Sequence, residues 1–353
     1  NMDYIISGIQ QIGIGVSDVQ KGFDWYRKYF GMDIPVFDEA AEANLMLPYT
    51  GGMPHQRRAI LALNLRGGGG FEIWQYTSRK PVPVNFTPAL GDIGIHICKI
   101  KSINVEENYR AMKGAGVKLL SGLLTDPQGK KHFFLEDLFG NIFQVVAFDN
   151  WFASGTHYTG GPCGVIIGVS NIDKSISFYK EILGYDNIVY DEKKVFDDFS
   201  NLKGGERSFR RVLLSHSKKR EGSFSKLLGS SLIELVEAKD ASVRKIYENR
   251  YWGDLGFIHL CFDIKNMAAL KEKCAKFGQP FTVDSGNNFE MGEAAGHFSY
   301  VEDPDGTLIE FVETFKIPIL KKLNWYLDLR KRNPLNTLPD WMLKTMAFNR
   351  VKD

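Results

Sequence analysis

The chain has 353 residues, 44% of them hydrophobic and 13% aromatic, which is enough apolar material for two domains of ordinary size. Its 44 Lys and Arg nearly balance 42 Asp and Glu. With no long basic block, nothing points to nucleic acid, and no apolar run approaches the length that crosses a membrane. The opening NMDYIISGIQQIGIGV has no basic flank ahead of an apolar stretch and does not read as a signal peptide. The cysteines, at 98, 163, 261 and 274, form no CxxC pair, which suits a reduced, cytoplasmic protein.

A first strand is expected over 11–16, followed by a helix within SDVQKGFDWYRKYFGMD (17–33). Val19, Phe23, Tyr26 and Phe30 fall on one helical face, Ser17 is placed as N-cap and Gly31 as stop. Strand-like segments then lead to Gly70–Trp74. The glycines at 67–70 lie between strands, so they read as a loop and not a phosphate cradle. A second unit opens with GDIGIHIC (91–98), continues with a helix in 104–116 and closes with EDLFGNIFQVV (136–146). A linker rich in Gly, Thr and Pro is expected near Gly155–Pro162.

The pattern then repeats. Strand 164–169 precedes the helix of SNIDKSISFYKEILGYD (170–186), with Ser170 and Gly184 as its cap and stop, and strands lead to Ser231–Leu235. GDLGFIHLC (253–261), a helix in 267–278 and EDPDGTLIEFV (302–312) mirror the second unit. Glu136 with Asp137, and Glu302 with Asp303, are expected to serve the tight turns. The tail, 316–353, carries nine Lys and Arg against three Asp. It reads as two short amphipathic helices, LKKLNWYLDLRKR and LPDWMLKTMAFNRVKD, packed on the chain itself or on a partner subunit.

Four positions recur in order: Gln11, Glu72, His96 and Gln144 line up with Gly164, Glu234, His259 and Glu310, at offsets of 153, 162, 163 and 166. A near-constant shift indicates duplication. An imidazole with carboxylates and amides on strand-like stretches is how a sheet presents metal ligands. Strand parity puts Ile258, Leu260 and Phe262 on one face and His259 and Cys261 on the other; Ile95 and Ile97 likewise oppose His96. The alternative reading for each His is a hydrogen-bonded core residue. Cys98 and Cys261 read as buried strand residues, and Trp25, Trp74 and Phe86 as pocket wall or core filler.

The first strand with its "SD…FY…LG" helix and the EDPDGTLIEF hairpin resemble the vicinal oxygen chelate superfamily. That group includes glyoxalase I, methylmalonyl-CoA epimerase, extradiol dioxygenases and the fosfomycin and bleomycin resistance proteins. The resemblance covers roughly residues 5–315. It implies an α+β fold: four βαβββ modules paired into two glyoxalase-like domains with curled mixed sheets, plus a C-terminal helical tail. The first domain is expected over 1–153 (modules 5–80 and 91–150), the second over 162–315 (modules 163–240 and 253–315), and the tail over 316–353.

Carried over by position, the resemblance offers one metal set of Gln11, Glu72, His96 and Gln144. It offers a second of Glu234, His259 and Glu310, with Gly164 where His or Gln is expected. The donors suit Zn, Mn, Fe, Co or Ni, and catalytic proton transfer would fall to Glu310, Glu234 or Glu72. His297 and Tyr300 are supporting candidates near the second set, and His132 is the counterpart of His297. The first expectation is a metal-dependent lyase or isomerase of glyoxalase type acting on a small carbonyl compound through an enediolate-like intermediate. An extradiol-type ring-cleaving dioxygenase and a metal-free small-molecule binding protein are the alternatives. Gly164 speaks against the dioxygenase, which needs a second His on that strand. The expected partners are a small-molecule substrate and at most a second copy of the chain in a homodimer.

Overall fold

In a computed structural model, which describes residues 3–239, 241–287, 289–291, 294–320 and 323–352, the repeat is explicit. The first unit runs β1 (Ile5–Gly15), α1 (Val19–Phe30), β2 (Ile34–Ala43), β3 (His55–Leu63) and β4 (Gly70–Tyr76). The second runs β5 (Gly94–Ser102), α2 (Val105–Gly114), β6 (Lys118–Leu119), β7 (Leu124–Thr125), β8 (Lys131–Glu136) and β9 (Ile142–Ala147). The third has β10 (Thr159–Gly168), α3 (Ile172–Glu181), β11 (Asn187–Val195), β12 (Ser208–Ser215), α4 (Ser225–Leu228) and β13 (Leu232–Ala238). The fourth has β14 (Gly256–Lys265), α5 (Met267–Phe277), β15 (Val283–Asp284), β16 (Phe289–Met291), β17 (Ala294–Glu302) and β18 (Leu308–Leu320). The tail adds β19 (Trp325–Asp328) and α6 (Asp340–Lys344), each followed by a short 3-10 turn.

The helices start one residue later than the serines suggested. Asp18 caps α1 and Asn171 caps α3, each accepting from the backbone N–H three residues on, as Asn104 and Asn266 do for α2 and α5. Ser170 instead hydrogen-bonds Asp305 in the last turn of the repeat. Gly31 ends α1 in the left-handed region at φ 64°, as its position implied.

The four units form two sheets, but not by pairing neighbours in sequence. One sheet has the order β15-β17-β18-β14-β1-β4-β3-β2, and the other β11-β12-β13-β10-β5-β9-β8-β6. The first therefore joins the first unit to the fourth through antiparallel β1 and β14, and the second joins the middle two units through β10 and β5. Neither sheet is confined to residues 1–153 or 162–315. Sequence neighbours meet back to back instead. Phe143 of the second unit packs on Tyr26, Phe30 and Phe71 of the first, and Tyr26 donates to Asp137 Oδ2 at 2.5 Å. Tyr179 and Asp303 repeat that tie at 2.9 Å between the third and fourth units. Asp137 and Asp303 also accept the backbone N–H groups of their own turns, the role expected of them.

One continuous core lies on the helix-covered backs of both sheets, built from Ile12, Ile14, Phe71, Val165, Ile167, Leu235, Leu260 and Phe262 with residues of α1, α2, α3 and α5. Each such side chain contributes about 1.5–3 kcal/mol on burial. The concave faces hold separate clusters: Trp74, Tyr76, Trp252, Ile258, Cys261 and Tyr300 in one sheet, and Ile97, Phe134, Ile166, Phe196 and Phe199 in the other. All four cysteines are free and buried.

The glycine run makes an inter-unit joint. Gly69 N–H donates to Pro162 O at 2.9 Å and Gly161 N–H to Gly67 O at 2.8 Å, and a Cβ on Gly68 (φ 106°) would meet the Gly161 backbone at 2.9 Å.

The tail departs from expectation in its first half. LKKLNWYLDLRKR is not a helix: β18 extends to Leu320 and pairs with β19, placing Lys316 opposite Asp328. Lys321 and Lys322 lie outside the described residues. The existing sheet edge supplies hydrogen bonds and apolar contacts that outweigh a weak helical periodicity. The second half does form α6, and Leu338 and Leu343 pack on Ile34, Leu63, Leu65 and Leu227. The tail thus closes on its own chain. Among the described residues no helix is long and apolar enough to cross a membrane.

Candidate functional site

The crossed pairing redistributes the candidate ligands. Gln11 on β1, Glu72 on β4, His259 on β14 and Glu310 on β18 now share the concave face of one sheet. His96, Gln144 and Glu234 belong to the other. The set Gln11, Glu72, His96 and Gln144 is therefore corrected, as is the set Glu234, His259 and Glu310. Each mixed residues from two sheets because ligands were grouped by sequence half.

In the first pocket His259 is the hub. Its Nε2 lies 3.0 Å from Gln11 Oε1 and 3.0 Å from Glu310 Oε2. Tyr300, on β17, donates to Glu310 Oε2 at 2.5 Å and stands 3.3 Å from His259 Nδ1. Gln11 Nε2 donates weakly to Glu72 Oε2 at 3.4 Å. His259, Gln11, Tyr300 and Glu310 are buried, while Glu72 is partly exposed. Trp252 lies nearly parallel to the imidazole, 12° between planes at 6.4 Å, and shields it from solvent.

A β-bulge sets this geometry. Gly13 pairs with His259 but Ile14 with Phe257, so Ile258 is the extra residue and joins the concave cluster. Strict alternation had placed Ile258 on the opposite face. Gly13 is required directly beneath: a Cβ there would sit 2.5 Å from His259 Cε1.

The electrostatics follow from burial. It pushes Glu72 up to about 7 and holds His259 down at about 3. Glu310 is raised well above the carboxylate range, by burial first and by the Glu72 charge second. Among the described residues the ion-pair partner within reach of Glu310 is His259, which burial keeps neutral near pH 7, so no positive charge offsets that carboxyl group. With its hydrogen on Nε2, His259 donates to Gln11 and Glu310. With the hydrogen on Nδ1, facing Tyr300, the Nε2 lone pair and the two oxygens converge. That donor set, one imidazole with carboxylate and amide oxygens, fits a divalent ion. Among the described residues no group of three or more His, Cys, Asp or Glu is placed to hold a metal ion as it stands; the cluster is closed on itself by hydrogen bonds, and its side chains would have to open around one. A cavity of about 450 Å³ adjoins it through Trp252 and Ile258, lined also by Tyr49, Phe257 and Leu308.

The second pocket is built differently. In β10 and β5 the corresponding bulge falls on His96, since Ile166 pairs with Ile97 and Ile167 with Ile95. Register therefore places Ile97, not His96, in the position of His259. It also places Lys99, opposite Gly164, in the position of Cys261, opposite Gln11. His96 is buried and held down at about 4 by burial, with Asp92 opposing, and is hydrogen-bonded to neither Gln144 nor Glu234. Lys99 Nζ donates to Gln144 Oε1 and Glu234 Oε1, both at 2.6 Å. Glu234 also accepts from Tyr190 OH and Arg211 Nε, each at 2.6 Å. Burial alone would raise Glu234, but Arg211 and Lys99 hold it well below the usual range. Gln144 Nε2 donates to His132 Nδ1 at 3.1 Å, so His132 Nε2 donates to Asp198 at 2.9 Å. Arg211 closes the ring on Asp198 at 2.8 Å.

Of the supporting candidates, Tyr300 touches the first cluster and His132 the second. His297 pairs with Asp284, away from both. Sequence reasoning missed Lys99, Tyr190, Asp198, Arg211 and Trp252. Only Lys99 carried a signal, as a charge inside the apolar run IHICKI. Trp25 packs against the common core, and Phe86 lies under Arg244.

Comparisons with known proteins agree with this architecture. The profile of the Glyoxalase/Bleomycin resistance protein/Dioxygenase superfamily matches residues 8–145 and 157–311. Glyoxalase I from Zea mays is similar in structure at 14% identity and a TM-score of 0.53, over 87% of this chain and 92% of that one; a point variant of it gives 0.56. A candidate dioxygenase from Bacillus subtilis subsp. subtilis str. 168 is similar at 12% identity and 0.54, over 88% of this chain and 86% of that one. At such identities the likeness is one of fold. No curated protein sequence matches the chain.

Proposed function

The chain belongs to the Glyoxalase/Bleomycin resistance protein/Dioxygenase superfamily, and from that premise we propose that its first pocket is a metal-dependent lyase or isomerase site of glyoxalase type. The substrate class is a small compound with vicinal carbonyl and hydroxyl oxygens. The observation that carries this reading is the meeting of Gln11 Oε1 and Glu310 Oε2 at His259 Nε2, both at 3.0 Å, with Glu72 alongside. These four residues would hold a Zn, Mn, Fe, Co or Ni ion. When bound, such an ion supplies Lewis-acid polarisation of a carbonyl oxygen and stabilises negative charge there.

The chain's own groups account for the proton movements. Glu72, pushed up to about 7, is poised to take and return a proton near neutral pH, on the carbon next to the carbonyl. Glu310 is the second candidate carrier, and Tyr300 OH fixes its orientation. Trp252 keeps water from the imidazole, and its Nε1, buried without a protein partner, is a donor for a substrate oxygen in the adjoining cavity. A ring-cleaving dioxygenase is less well supported, since this pocket holds one imidazole and Gln11 stands where a second would be needed.

The test is solvent exchange. Metal-loaded chain is incubated with dihydroxyacetone or acetoin in D₂O, and the C–H signal beside the carbonyl is followed by NMR. Catalysed exchange is expected, reduced about 10²- to 10⁴-fold in Glu72→Gln or Glu310→Gln. No catalysed exchange by the loaded chain, or unchanged rates in both variants, would contradict the proposal.

A further inference from the structure

We propose that the pocket between the second and third units is a metal-independent site for a small apolar carboxylate, in which the Lys99 ammonium holds the place a cation takes in the first pocket. Register puts Gln144 where the first pocket has Glu310, and Glu234 where it has Glu72. Lys99 Nζ bridges those two side chains at 2.6 Å each. The first pocket's imidazole position is taken by Ile97, buried in the apolar cluster, and its Gln11 position by Gly164. Two ligands are therefore gone, and a fixed positive charge sits between the remaining two. A divalent ion would have to approach that ammonium at a few ångströms, where like charges in a buried setting repel strongly.

A cavity of about 300 Å³ opens on this arrangement. Its polar floor is Lys99, His132, Gln144 and Tyr190, and Val189, Leu213 and Leu232 form apolar wall. Lys99 is buried, borders the cavity, and has three N–H donors, of which two are committed to Gln144 and Glu234. The third is available to an incoming oxygen. Every other floor group is already anchored, Gln144 to His132, His132 to Asp198 and Tyr190 to Glu234, and behind the floor Arg211 holds both carboxylates. The floor is thus pre-organised, so a ligand costs little reordering. At the mouth, Lys130 and Lys131 face Asp126 and Asp149. Lys131 is paired with Glu106, and Asp126 accepts the N–H groups of Gln128 and Lys130. With Glu106 counted, the rim has two lysines against three carboxylates and does not itself draw an anion, which leaves the Lys99 ammonium as the feature that selects one, and the walls as what selects an apolar body behind it.

The experiment uses 4-fluorobenzoate as probe and the full chain in EDTA, read by ¹⁹F NMR. Saturable shift or broadening is expected, at least tenfold weaker in Lys99→Met, and at least tenfold weaker for 4-fluorobenzamide with the unaltered chain. Should Lys99→Met fail to fold because Glu234 loses one of its two cationic partners, Lys99→Met combined with Glu234→Gln keeps the buried charges balanced and serves in its place. Absence of saturable binding, binding undiminished by loss of the lysine, or an amide bound as tightly as the acid would each overturn the proposal.

Discussion

At the scale of single residues, the first pocket is defined by what its carboxyl groups lack. Glu72 and Glu310 are held protonated at pH values where exposed carboxylates are charged: burial raises both, Glu39 adds to it at Glu72 against the pull of Arg57, and the Glu72 charge adds to it at Glu310. Glu72 sits at about 7 in the folded chain, above its unfolded value, so between the two the folded state holds more protons. The stability that Glu72 contributes must then fall as pH rises through that window. Buried His96, His216 and His259, held down at about 4, 4 and 3, act in the opposite direction below their unfolded value, so the test compares chains: in urea unfolding in EDTA, going from pH 5 to pH 8 should cost Glu72→Gln less stability, or gain it more, than the unaltered chain. Asp263, pushed up to about 7 mainly by burial, acts in the same direction as Glu72 and is common to both chains, so it drops out of that comparison. A difference unchanged in Glu72→Gln would refute the assignment. These residues were legible as ligand types from the sequence, since an imidazole or carboxylate inside an apolar strand needs a reason. Their partners were not, because contact across a sheet is set by which strands pair.

At the scale of elements, two bulges decide what each pocket can do. In β14 the extra residue is Ile258, which turns His259 inward; in β5 it is His96, which puts Ile97 inward. The motifs GFIHLC and GIHIC look alike, yet a one-residue slip exchanges an imidazole for an alkyl group. The four module helices and the Asp turns were readable because they depend on local spacing, with the N-caps of α1 and α3 missed by one residue; a bulge depends on the strand opposite. Gly13 is the counterpart of that bulge. Gly13→Ala should push the His259 ring from its place and lower metal content at least tenfold, with the unfolding free energy in EDTA falling by about 1–3 kcal/mol from overpacking. Metal content equal to that of the unaltered chain would show that His259 does not depend on this close approach.

At the scale of the whole molecule, the chain is a tandem repeat whose sheets cross between its halves. The repeat, the fold class and the extent of the duplication were visible from SDVQKGFDWYRKYFG against SNIDKSISFYKEILG and EDLFG against EDPDG. The crossing was not, because the residues that enforce it, Phe143 against Tyr26 and the glycines 67–69 against 160–161, are apolar or featureless in sequence. The tail adds a clasp across the crossing: Leu338 N–H donates to Ser223 O, and Val351 N–H to Asp33 O, tying the third unit to the first. Leu338 is fully buried, so Leu338→Ala should cost about 2–5 kcal/mol in chemical unfolding. A loss below about 0.5 kcal/mol would mean the clasp carries no stability.

The central claim is that cation binding belongs to the pocket shared by the first and fourth units. Elemental analysis of the purified chain beside its His259→Ala and His96→Ala variants tests it most directly. About one divalent ion per chain is predicted for the unaltered protein and for His96→Ala, and essentially none for His259→Ala. An ion retained by His259→Ala but lost from His96→Ala, or no ion taken up by any of the three on incubation with Zn²⁺ or Ni²⁺, would contradict it.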